Sequence, residues 1–167
     1  MAAKKYLSFL LGRQKEVSGG VVSAGAGNDG DLVALDAAGK LDPSVMPAGV
    51  GVNTVSGTAS EALAANDLVN IHAGGVRKAD ATTEGKEAHG FVKASVASSG
   101  TATIYLPGDV ITGLTGLTQG ARYFLATTAG LTTATVPSTA GNVGQMIGIA
   151  ASTTSILFEP EEPVTRN

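Results

Sequence analysis

From Asn53 onward, turn residues recur roughly every eight to twelve positions between short runs rich in Val, Ile, Thr, Phe and Tyr. "DLVNI" and "GVRKA" flank "HAGG"; "HGFVKASV" and "TATIYL" flank "ASSG". "ARYFLAT" and "LTTATV" flank "TAG", which reads as a tight hairpin with Gly130 at the bend. "VGQMIGIA" and "TSILFEP" flank "ASTT". Short strands at that spacing make a β-sandwich or a barrel. The expected fold class is therefore all-β: a sandwich or barrel-like domain of short antiparallel strands, carrying an extended N-terminal arm.

Alternation supports the strands. In "TATIYL", Ala102, Ile104 and Leu106 share one face and Thr101, Thr103 and Tyr105 the other. In "TSILFEP", Ile156 and Phe158 oppose Leu157, so both faces are apolar, as in a strand covered on both sides by the fold or by another subunit. Ser60–Asp67, "SEALAAND", is the one helix-like stretch and could make two turns at most.

Leu, Ile, Val and Phe make up 40 of the 167 residues, enough for a real core rather than a disordered chain. Cysteine is absent, which excludes disulfides and thiolate metal sites. The formal net charge of −3 gives no general drive toward nucleic acid or an anionic membrane. Charge is also uneven. Between Ala94 and Phe158 only Asp109 and Arg122 are charged, a surface suited to burial in an assembly.

Residues 1–53 read as an extended arm and connector, 54–160 as the β-domain and 161–167 as a C-terminal tail. The arm opens with a short amphipathic segment, Tyr6, Leu7, Phe9, Leu10 and Leu11, flanked by Lys4, Lys5, Arg13 and Lys15. The run from Tyr6 to Leu11 is only six residues, too short for the core of a secretory signal, and nowhere does the chain approach the ~20 apolar residues of a membrane span. A protein groove suits Tyr6, Phe9 and Leu10 better than a membrane surface. Further on, "DAAGKLDPSVMPAGVG" is too broken for a helix and too irregular for a strand. Its Asp42-Pro43 and Met46-Pro47 steps stiffen the chain. Leu41, Val45 and Met46 are the apolar anchors on it.

Chemical motifs are weak. "GAGNDG", Gly25 to Gly30, has the letters of a dinucleotide loop, but the sequence after it is broken by Gly39 and Pro43 and lacks the distal acid. Asp29, Asp31 and Asp36 do not have calcium-loop spacing. His72 and His89 are the only histidines, and neither a G-x-S-x-G elbow nor an H-E-x-x-H pair occurs. The cations of "VRKADATTEGK" interleave with acids and lack aromatics, which reads as a solvated hairpin edge rather than a nucleic-acid surface. No catalytic, cofactor or metal residues are expected.

Three stretches together resemble tailed-phage virion proteins. "LVALDAAGKLDPSVMPAGVG" is similar to a segment recurrent in them. "ALAANDLVNIHAGGVRKADATTEGKEAHGFVKASVASSGTATIYLPGDV" resembles the β-domain of capsid decoration (cement) and head-fibre proteins. "LTGLTQGARYFLATTAGLTTATVPSTAGNVGQMIGIAASTTSILFEP" is similar to the closing half of that domain. The resemblance covers residues 32–160. It implies a non-enzymatic homotrimer, assembled in the host cytoplasm, that binds the outer surface of the major capsid lattice and stabilises the head. The partners implied are the major capsid protein and other copies of the chain. On that reading Tyr6, Leu7, Phe9, Leu10, Leu11, Leu41, Val45 and Met46 are the capsid-binding candidates. A trimeric head-fibre or tail-fibre component contacting the host is the alternative. A hydrolase or carbohydrate-binding domain is a third reading, and would need a cleft of converging polar groups.

Overall fold

The computed structural model describes residues 5–10, 12–23, 32–46 and 53–167. The chain divides into two compact units, residues 1–51 and 52–167.

In the first unit the amphipathic segment is not a lone extended arm. It is strand β1 (Lys5–Leu10), paired antiparallel with β2 (Arg13–Ser18). Gly12, at φ +75, lies in the turn between them. An ion pair of 3.0 Å, Lys5 to Glu16, spans the strands on the exposed side. Beyond the hairpin, the Gly20 amide donates to the Leu32 carbonyl and the Ala34 amide to the Gly20 carbonyl, a parallel bridge that folds the chain back. Asp36 then closes a tight loop, its Oδ1 accepting the Ala38 and Lys40 amides. A single 3₁₀ turn, Pro43–Val45, follows.

The second unit is all-β, as its turn spacing predicts. Its first sheet contains β3 (Thr54–Thr58), β4 (Leu68–His72), β5 (Gly75–Lys78), β6 (Gly90–Phe91) and β7 (Thr101–Tyr105), in the order β3-β7-β6-β4-β5. Its edges meet: Ala59 bridges Val76, and the Ser60 amide donates to the Val76 carbonyl. The sheet thus curls on itself around Ala59, Leu63, Val69, Val76, Val92, Ala102 and Ile104. Glycine is required at that seam. A Cβ on Gly75, whose φ is +120, would lie 2.3 Å from the Thr58 carbonyl oxygen.

The second sheet contains β8 (Val110–Thr112), β9 (Arg122–Leu125), β10 (Thr132–Thr133), β12 (Met146–Ser152) and β13 (Ser155–Phe158), in the order β10-β9-β12-β13-β8. A separate pair joins β11 (Val143–Gly144) to β14 (Val164–Thr165), so part of the C-terminal 161–167 segment is paired rather than free. The two large sheets share one core. Leu68 and Phe91 from the first pack with Ile111, Leu125, Ile147 and Phe158 from the second. The rings of Phe91 and Phe158 meet edge-on at 5.4 Å. Leu68 and Val69 show how alternation divides the work: Val69 fills the curled sheet and Leu68 the space between sheets.

Ser60–Asp67 is not helical. Leu63 and Val96 exchange amide-to-carbonyl bonds of 2.9 Å, and Ala64–Asp67 forms a turn in which Asn66 adopts φ +70. One buried leucine in eight residues gives a helix too little apolar stripe to bury, and the strand partner prevails.

Candidate functional site

The exposed large apolar side chains are concentrated in the first unit. Among the described residues these are Leu7, Val21, Val22, Leu32, Val33, Leu35, Leu41 and Met46 there, against Val55, Ile71, Leu131, Ile149 and Val164 in the much larger second unit. Leu7 is the extreme, 69% exposed. Single exposed apolar residues are ordinary, but eight on so short a chain segment are not.

The sequence candidates fall as follows. Tyr6 is half-buried, its hydroxyl oxygen accepting the Leu32 amide at 3.4 Å, so it ties the hairpin to the segment after the bridge. Leu7, Leu41 and Met46 are exposed and Val45 is half-buried. Phe9 and Leu10 belong to β1. Leu11 lies outside the described residues, as do Gly25–Gly30, Asp29 and Asp31. The connector is more ordered than a stiffened linker. The Asp42 Oδ1 accepts the Ser44 amide, and the Ser44 hydroxyl oxygen accepts the Ser23 amide at 2.9 Å. Hydrogen bonds from the Ser44 hydroxyl and amide hold the Asp42 carboxyl below its ordinary range. Leu41 and Met46 are therefore carried at the two ends of a capped turn. Sequence reasoning missed Val21, Val22, Leu32, Val33 and Leu35. The signal available was their occurrence in pairs beside glycine and aspartate, where a spacer would carry polar residues.

In the second unit several buried or half-buried polar groups are committed to structure. The "VRKADATTEGK" segment is the expected hairpin edge, with residues 82–85 exposed, but its charges are engaged rather than solvated. Asp80 is buried, pairs with Lys86 at 3.0 Å and accepts from the Thr82 amide and hydroxyl. Arg77 Nε donates to Asn70 Oδ1, and Asn70 Nδ2 donates to the Glu87 carbonyl. Buried Asp67 pairs with Lys78 at 3.2 Å and accepts the Ala64 amide. Desolvation pushes the Asp80 carboxyl up, but its bonds from Thr82 and the Lys86 charge outweigh that and hold it below the ordinary value. Asp109 is likewise lowered: Lys93 and the Val110 amide outweigh desolvation.

One Ser–His contact exists among the described residues, Ser60 Oγ to His72 Nε2 at 3.4 Å. It is arranged against nucleophilic catalysis. His72 Nδ1 accepts the Gly74 amide, so the neutral ring carries its proton on Nε2, the atom facing the serine. Ser60 Oγ donates to the Val76 carbonyl instead. His89 Nδ1 is similarly used, accepting the Ile71 amide. A cleft of about 480 Å³ is lined by Asn66, Asp67, Leu114, Tyr123 and Leu131. Its acid is the one already bound to Lys78, and Asn66 Nδ2 donates to the Thr112 carbonyl. No cluster of three metal-ligating side chains occurs among the described residues.

No protein-family model, no curated protein and no solved structure matches this chain.

Proposed function

We propose that this is a virion structural protein, a capsid decoration protein that docks on the outer surface of a phage head through its N-terminal unit. The observation that carries the reading is the number of exposed large apolar side chains, Leu7, Leu32, Leu35, Leu41 and Met46 among them, in the short N-terminal unit. Burying one such side chain fully is worth about 1.5–3 kcal/mol. Several on one unit, repeated over copies of the chain, turn a modest contact into lattice-wide retention. The buried acids and both histidines of the β-domain are bonded within the fold, in keeping with a stabilising rather than a catalytic role. The major capsid protein is the proposed partner, and a homotrimer the proposed form.

Co-sedimentation of the full chain with purified empty heads tests this. Wild type should pellet with heads. Replacing Leu41, Val45 and Met46 together with Ser should lower retention about tenfold or more, given 1.4 kcal/mol per decade. The circular dichroism spectrum should not change. Undiminished retention would remove the connector from the interface, and absence of wild-type binding would defeat the reading.

A further inference from the structure

The second sheet has a buried inner face and an outer face that, among the described residues, is only partly buried. Register identifies the outer residues. Arg122 pairs with Ile149, Ile149 with Leu157, and Leu157 with Val110, a row across four strands. Phe124 and Met146 form the next pair in the same set. A bulge between Met146 and Gly148 lets Ile147 turn into the core while Met146 and Ile149 stay outside. Ile149 is 42% exposed, and Val110, Phe124, Met146 and Leu157 are half-buried.

Charge on this face is sparse and separated. Arg122, exposed, has no ion-pair or hydrogen-bond partner for its side chain among the described residues. Exposed Glu159 continues the alternation of Leu157, its amide bonded to the Ile147 carbonyl, and is also unpaired. Arg122 and Glu159 stand two strands apart and two residues along, about 12 Å between backbones, and do not pair with each other. Each copy therefore offers one unmatched cation and one unmatched acid around an apolar centre.

We infer that this outer face, centred on Ile149 and Leu157, is where a second copy of the chain packs, with Arg122 of one copy against Glu159 of the next. Because each copy presents both charges on one face, a cyclic arrangement in which that face lines the symmetry axis can set each Arg122 against a Glu159 of a neighbouring copy. The inference names the surface for the homo-oligomer in the reading above and does not depend on what the N-terminal unit binds.

The test is sedimentation equilibrium on full-length variants, each checked by circular dichroism. Wild type should be an oligomer. Ile149→Asp should weaken association about a hundredfold or more, and Arg122→Glu about tenfold. Arg122→Glu with Glu159→Arg should return to within about threefold of wild type. That rescue cannot arise from misfolding, so it decides the matter even if Ile149→Asp folds poorly. A monomeric wild type overturns the inference. So does an unrescued charge swap, or loss of association on replacing Leu7 and Leu35 with Ser while Ile149→Asp has no effect. Lost head binding with intact oligomers would count against the decoration reading alone.

Discussion

Gln145→Leu should be among the most damaging single substitutions in the β-domain, although glutamine is ordinarily a surface residue. Gln145 is 4% exposed, its Oε1 accepting the Ala88 amide at 2.8 Å and its Nε2 donating to the Ala88 carbonyl at 3.1 Å. The side chain acts as a missing strand partner, clipping the loop before β6 to the second sheet. Leucine fills similar space but leaves both Ala88 groups buried without partners. Each orphaned group costs about 1–3 kcal/mol. Against that, the added apolar burial returns about 1–2 kcal/mol. Mid-range values give a net loss of about 2.5 kcal/mol, a large share of the ~5–15 kcal/mol that holds a domain together. Urea denaturation followed by the near-ultraviolet tyrosine signal measures it, with exposed Gln119→Leu as the control, expected within about 0.5 kcal/mol of wild type. If Gln145→Leu matched the control, with an unchanged denaturant slope, the clip would contribute nothing and the reasoning would fail.

Gly75→Ala should cost roughly 3 kcal/mol, from backbone strain at φ +120 and the displaced Thr58 carbonyl at the seam. Gly85→Ala, at φ +85 with open space around it, should cost only about 1 kcal/mol, and equal losses in denaturation would refute the seam. Asp80 and Asp109 have lowered folded pKa values, so their contribution is present above about pH 4, the unfolded value, and is lost as pH falls through the folded one. The double variant Asp80→Asn, Asp109→Asn should therefore show a shallower decline of melting temperature between pH 5 and pH 2 than wild type, about those two landmarks. An unchanged acid limb would contradict it.

The parts of the fold that local chemistry determines were legible. Gly130 at a positive φ and Thr153-Thr154 between β12 and β13 mark hairpins that any reading of turn residues finds. Alternation in Thr101–Tyr105 correctly separates buried Ala102 and Ile104 from exposed Thr101 and Thr103. What long-range contact determines was not legible. Asp80 reads as part of a solvated edge, and nothing marks Gln145 as buried, because their partners, Lys86 and Ala88, meet them only in the folded loop. The Met146–Gly148 bulge reverses which residues face out, a shift that sequence periodicity carries no mark of. In the N-terminal unit, Leu7, Leu41 and Met46 were identified as anchors. The hairpin was missed because six polar-flanked residues read equally well as an arm, and Leu32 and Leu35, though inside the stretch that resembles phage virion proteins, carry no spacing signal that marks them as exposed.

The central claim, docking on a capsid through the N-terminal unit, is tested most directly by hydrogen exchange of the full chain free and bound to empty heads. Protection on binding should concentrate in residues 5–46, strongest around Leu7, Leu32–Leu35 and Leu41–Met46, with the β-domain amides nearly unchanged. Protection confined to residues 53–167, with the N-terminal unit exchanging as in the free protein, would contradict it.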